Sequence, residues 1–199
     1  MHRKGLIFIL VGPSGVGKNT LLFNILQQVP NLRQMPTGTT RPRRPNETEK
    51  QHFFFTDEEF DRFVREGAFL EWQVVHGKRY GLLKSVVEQG IDSGEDYIAD
   101  VEVLGAFDLK KAYPDNVILI FIRPPAMDVL EQRIRQRDPR ISDEELGMRV
   151  GRARFEMSFM DRCDHIVVNN DLATTTEQLK GIVLAERDRK AELLGDAIQ

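Results

Sequence analysis

The sequence predicts an α/β fold: a mostly parallel sheet flanked by helices, with a small mixed β/α insertion and a helical lid. Three observations predict it. Short apolar runs alternate with segments of helical periodicity along the 199 residues. One run, NVILIFIR at residues 116–123, is apolar nearly throughout, as a central parallel strand buried on both faces should be. Two segments break the alternation. Residues 37–86 hold short strands and a basic loop, and residues 138–158 are dense in charge between two helices.

The elements follow in order. Residues 6–11 form the first strand, a glycine-rich turn follows, and residues 20–28 are helical with Pro30 just beyond. Residues 37–51, TGTTRPRRPNETEKQ, are polar, basic and punctuated by proline, and read as a loop. Residues 52–56 make a short strand. Thr56 then caps a helix over 57–66, with Glu59 completing a capping box. Residues 69–77 are a strand, 85–92 a helix, and 96–102 and 116–123 strands. Pro124 and Pro125 break the chain before a helix at Met127–Arg137. Ser142, with Glu145 three residues on, starts a helix running to about Phe159. Residues 165–170 are the last strand and 174–194 a closing amphipathic helix. One domain is expected over 1–199, with a core of 1–36, 87–137 and 159–199, and with 37–86 and 138–158 free to move against it.

Composition narrows the function. Charged residues are 30% and hydrophobic residues 41%, an ordinary globular balance. A net charge of −3 argues against a general nucleic-acid binder but leaves room for small phosphorylated ligands. Cys163 is the only cysteine, so no internal disulfide forms and a reducing, cytoplasmic setting is expected. One cysteine and four scattered histidines (His2, His52, His76, His165) build no zinc site. The start, MHRKGLIFILVG, imitates a signal peptide, but its apolar run is short and passes directly into the glycine-rich turn. No apolar stretch is long enough for a membrane helix.

That turn carries the first chemical motif. Gly12, Pro13, Ser14, Gly15, Val16, Gly17 and Lys18 follow G-x-x-x-x-G-K-[ST] up to its last position, where Asn19 replaces the hydroxyl that would meet magnesium. Glycines let backbone N–H groups approach phosphate oxygens, and the helix start adds unpaired N–H groups and partial positive charge. Lys18 is placed to follow charge on the outer phosphates. Thr20, the nearest hydroxyl, lies roughly 100° further around the helix and substitutes poorly. Asn19 either approaches Mg²⁺ or its water through the amide oxygen, or caps and solvates the helix start.

Downstream, Arg41, Arg43 and Arg44 stand among threonines and prolines, a second cluster suited to phosphate. With it the chain resembles the guanylate kinase family, within P-loop NTPase-type folds. The matching segments are GPSGVGK (12–18), TTRPRR (39–44), HFFF (52–55), EWQVVHGKRYG (71–81), DVEVLG (100–105) and VVNND (167–171), in the family's order over about residues 5–190. The resemblance implies Mg²⁺-dependent transfer of the ATP γ-phosphoryl to GMP, with dGMP as a further acceptor. It gives the loop from Gly12 to Thr20, with Arg133 and Asn169, to ATP, and places Asn169 beside the adenine. It implies that Arg41, Arg44 and Tyr80 hold the GMP phosphate, Glu71 reads guanine, Thr37 meets the base, and Glu102 lies near both. Guanine presents N1–H and N2–H₂ side by side to one carboxylate, whereas adenine would leave a buried Glu unpaired. The resemblance also implies that Asp100 organises magnesium through water, that Arg133, Arg137 and Arg149 close over the ATP phosphates, and that Lys18, Arg41, Arg44, Arg137 and Arg149 surround the transferred group. The family has a phosphate-binding tyrosine where the match places Phe53, a glycine near Lys50 and Gln51, a small hydroxyl at Leu82 and a glutamine at Leu104. These departures keep open a related kinase acting on an acceptor such as ribose 1,5-bisphosphate. The family also includes inactive protein-binding domains.

Overall fold

A computed structural model describes residues 3–44, 52–75 and 77–196. The chain runs β1 (Ile7–Val11), α1 (Lys18–Gln28), β2 (Leu32–Gln34), β3 (Thr37–Thr39), β4 (His52–Phe54), α2 (Asp57–Arg65), β5 (Phe69–Val75), β6 (Lys78–Leu83), α3 (Lys84–Ser93), β7 (Asp96–Asp100), α4 (Val103–Ala112), β8 (Val117–Arg123), α5 (Met127–Arg137), α6 (Asp143–Met157), a 3-10 turn (Met160–Arg162), β9 (His165–Val168) and α7 (Leu172–Asp196).

β1 is buried at all five residues, and its alternating side chains feed two cores. Phe8 and Leu10 join Ile98, Ile118, Ile120 and Ile122 beneath Leu21 and Ile25 of α1 and Leu179 and Val183 of α7. Ile7, Ile9 and Val11 join Leu119 and Phe121 beneath Val87 and Ile91 of α3 and Val103 and Leu109 of α4. Each such side chain contributes about 1.5–3 kcal/mol by leaving water, so this strand anchors both helical layers. The sheet order is β2-β7-β1-β8-β9 and every pairing is parallel. Chain order reverses at β1, so ligands are expected in the crevice beyond its carboxyl end. The glycine-rich turn begins there.

A second sheet, β4-β3-β6-β5, stands apart with its own aromatic core of Phe60, Phe69 and Leu83, backed by Phe53, Phe55 and Phe63. Its helix α2 starts with the expected capping box. Thr56 Oγ1 accepts from the Glu59 amide at 3.1 Å, and Glu59 Oε2 accepts from the Thr56 amide at 2.8 Å.

β2, β3, β6 and α4 correct the sequence reading, which had none of them. Residues 37–51 do not begin as a loop: Thr37–Thr39 is a strand held between β4 and β6. Thr-Gly-Thr has no apolar alternation, and its pairing comes from partners distant in sequence. α4 went unread because its N-cap is Glu102, an unusual capping residue, whose carboxylate accepts from the Leu104 amide at 2.9 Å. Lys50, Gln51 and His76 lie outside the described residues. Among the described residues, no helix is long and apolar enough to cross a membrane.

Candidate active site

The loop after β1 is braced from behind. Gly17, the N-cap of α1, has φ 104°, and a Cβ there would lie 2.7 Å from Asn169 Nδ2. Only glycine meets both conditions. Asn169 is 6% exposed and donates through Nδ2 to the Val16 carbonyl at 2.7 Å. Its side chain is thereby held against the loop, where it supplies the donor that the buried Val16 carbonyl needs. The Asn169 carbonyl accepts from both terminal nitrogens of Arg133 at 3.1 Å. Arg133 is thus tied to the end of β9 and is not extended over the loop.

Lys18 folds back on its own loop. Its Nζ donates to the Gly12 carbonyl at 2.5 Å and the Pro13 carbonyl at 3.4 Å, and stands 3.7 Å from Asp100 Oδ1. Asn19 and Thr20 are exposed, and Gly17 is the N-cap, so Asn19 solvates the helix start without capping it. Beside the loop, Gly15, Val16, Gly17 and Thr20 face Arg133, Arg137, Asn169 and Leu172 across an open cleft of about 440 Å³.

The second half of the site comes from the small sheet. Glu71 on β5 lies against the first turn of α4, its Cβ and Cγ only 2.7 Å from where a Cβ on Gly105 would stand. Burial, then the charge of Glu102, then that of Asp100, push the Glu71 carboxyl up to about 7. Asp100 ends β7 in register with Leu10. Burial at the crevice floor raises its pKa too, against the opposing pull of Lys18, although 31% of the side chain remains exposed. Glu71, Asp100, Glu102 and Lys18 thus share one crevice. Among the described residues no three His, Cys, Asp or Glu side chains are grouped to hold a metal ion. Asp100, a partly exposed carboxylate beside Lys18, is the type of oxygen donor that a hydrated magnesium ion takes.

Residues 41–43, after β3, lie along one face of β4. Thr37 Oγ1 is 2.9 Å from His52 Nδ1. The His52 ring sits edge-on to Tyr80, centroids 6.3 Å apart, and to Phe54, centroids 6.0 Å apart. Arg41 and Arg43 lie over Phe54 at 5.7 and 5.2 Å, and Arg44 is exposed. Phe53 points the other way, stacked on Phe55 in the aromatic core. The expectation that Phe53 faces the GMP phosphate is therefore corrected: its ring belongs to the aromatic core, and strand alternation turns His52 to the opposite face. Leu82 is fully buried under α3, while Leu104 and Trp72 are exposed.

Of the arginines expected to close over ATP, Arg149 rests on acids. Arg149 donates to Glu145 at 2.7 Å and lies 3.8 Å from Asp138, while Arg135 pairs with Glu131 and Asp143. Arg137 is exposed at the last turn of α5. Sequence reasoning missed Arg152 and Glu156. Arg152 Nε donates to Glu156 at 3.0 Å, and its Nη2 is 3.8 Å from Glu102, which links α6 to the N-terminus of α4. Glu156 is 6% exposed, with Oε2 unpartnered, and burial raises its pKa. The i, i+4 spacing of the pair was legible, but its burial was not.

A phosphate loop at the switch point of a parallel sheet, with the carboxylates of Asp100, Glu71 and Glu102 beside it, is the architecture of a P-loop kinase. A solved gluconokinase from Sinorhizobium meliloti shares the fold, with a TM-score of 0.52 at 16% identity over all of both chains. A family model described as guanylate kinase matches residues 4–186. The guanylate kinase of Thermotoga maritima is 40% identical over 185 residues, covering 92% of this chain and 88% of that one. The crystal structure of guanylate kinase from Anaplasma phagocytophilum aligns with a TM-score of 0.70 at 30% identity, over 93% of this chain and 87% of that one. The chain belongs to the guanylate kinase family.

Proposed function

We propose that this chain transfers the γ-phosphoryl group of ATP to the phosphate of GMP, giving ADP and GDP. One observation carries the reading: Asp100 sits between Lys18 of the phosphate loop and Glu71 of the small sheet, so a donor-phosphate site and a base-reading carboxylate share one crevice. The acceptor phosphate is already anionic near neutral pH and attacks without a general base. Catalysis is then positioning and charge stabilisation.

In this reading, Lys18 exchanges the loop carbonyls for the outer ATP phosphates. Arg41 and Arg44 with Tyr80 hold the GMP phosphate, and Glu71 accepts from guanine N1–H and N2–H₂. Arg137 and Arg149 approach as residues 138–158 and 37–86 close on the core, which excludes water from the transfer. Asn169 and Arg133 act from behind, holding the loop and the end of β9. Bound Mg²⁺ would neutralise phosphate charge, with Asp100 holding it through water. One reduced thiol accords with a cytoplasmic setting.

The test is ADP formation by purified protein with Mg-ATP and GMP, dGMP, AMP, UMP, CMP or ribose 1,5-bisphosphate. Turnover is expected with GMP and dGMP. Turnover with ribose 1,5-bisphosphate and none with GMP would overturn the reading.

A further inference from the structure

We infer that Arg152 is a positioning residue: it sets the carboxylate of Glu102 from helix α6, so that donor binding tightens the acceptor site. The inference rests on the function proposed above, with Glu102 bordering the acceptor and Arg149 meeting the donor phosphates. Helix α6 passes from one core to the other. Leu146 and Ala153 belong to the core under α1 and α7, whereas Met157 and, just past the helix, Phe159 pack against the core under α3 and α4. Arg152 stands on this passage between two acids. Its Nε donates to Glu156 Oε1 at 3.0 Å, one turn along the same helix, and its Nη2 lies 3.8 Å from Glu102 Oε1. Glu156 is buried, so the guanidinium is anchored on α6 by a charge-assisted bond. Glu102 Oε2 accepts from the Leu104 amide at 2.9 Å as the cap of α4, which leaves Oε1 to face Arg152. At 3.8 Å the pair is not hydrogen-bonded, and a movement of about 1 Å would make it so. The charge of Glu102 is felt at Glu71, so the two carboxylates border one space. Arg149 lies three residues before Arg152 and neighbours it on the helix surface. A donor phosphate that draws Arg149 therefore moves the helix that carries Arg152.

The experiment titrates GMP calorimetrically into the full chain, alone and saturated with Mg²⁺ and a non-hydrolysable ATP analogue. The ratio of the two Kd values measures the coupling between the sites. Wild type is expected to bind GMP more tightly with the analogue present. Arg152→Met is expected to lower the ratio about 3- to 5-fold, the scale of one partly exposed ion pair, with the Kd of the analogue alone within about 2-fold. Arg152→Lys, which keeps the charge, is expected to recover part of the ratio. In a Glu102→Gln background, which retains a cap acceptor, Arg152→Met is expected to change the ratio no further. Arg152→Met also strips the buried Glu156 of its donor, so Arg152→Met/Glu156→Gln repeats the test without that charge and is expected to show the same loss. A wild-type ratio of one, a ratio unchanged in Arg152→Met, or equal losses with and without Glu102→Gln would overturn the proposal. So would a ratio restored by Glu156→Gln. A wild-type chain that bound no GMP would overturn the function above and this inference with it.

Discussion

Asn169 and Val16 are 153 residues apart, yet the buried amide of one holds the carbonyl of the other at 2.7 Å. The last strand thereby sets the shape of the first loop. Asn169→Ala leaves that carbonyl unpartnered, a cost of about 1–3 kcal/mol. We expect a lowered melting temperature and a KM for ATP raised more than the KM for GMP. A stability loss with both KM values unchanged would show that the brace does not govern the nucleotide site.

Glu71 sets a pH dependence. With its carboxyl near 7, the free protein holds that proton at pH 6, whereas guanine's two donors need both oxygens as acceptors. GMP binding then expels a proton, and affinity falls up to about tenfold per unit below pH 7. Titrations in buffers of different ionisation enthalpy measure the release directly.

Folding responds to the same group with the opposite sign. The folded pKa lies above the ordinary value of 4.5, so the native state binds more protons than the unfolded state between about 4.5 and 7. The Glu71 contribution therefore favours folding below that window and is lost as pH rises through it. Glu71→Gln should remove this decline, giving a melting temperature above wild type past pH 7 while GMP turnover collapses. Parallel pH profiles of the two proteins would contradict the assignment.

Lys18 and Asn19 are adjacent but unequal. Lys18→Ala removes the one ammonium at the loop and is expected to lower kcat about 100-fold or more. Asn19→Ser, at an exposed position outside the cap, is expected to shift the magnesium dependence only modestly. A large activation by serine would mark the native loop as impaired.

Arg149 rests on Glu145 and Asp138 on the protein surface, contacts worth about 0–1 kcal/mol that ATP phosphates can outcompete. Arg149→Ala should lower kcat about 100-fold or more with GMP affinity intact. Glu145→Gln should lower the KM for ATP by releasing the arginine, and steady-state kinetics at two salt concentrations would reveal it.

What the sequence made legible was local. The apolar run of β1, the Thr56–Glu59 box and the Ser142 cap each act within a few residues, and each forms where its chemistry places it. Lys18 and Glu71 were legible from motif and resemblance. The partners of Asn169, the direction of Phe53 and the burial of Glu156 depend on chains meeting across the fold, and nothing near them in sequence announces it. β3 was hidden for the same reason: Gly38 earns its place by lying against Phe55 and Phe69, residues of other elements.

β3 and β4 run parallel, which is uncommon for neighbours in a small sheet, and only residues 40–51 join them. Parallel neighbours need about a dozen residues to return to the starting edge. The arginine-bearing connection, residues 40–51, has about the length such a return takes. Insertions there should be tolerated cheaply, since closure entropy grows slowly with length. Deletions should not, because a tight turn would force β4 to run the other way. Natural and engineered variants of this chain should accordingly show one-sided length variation at this point.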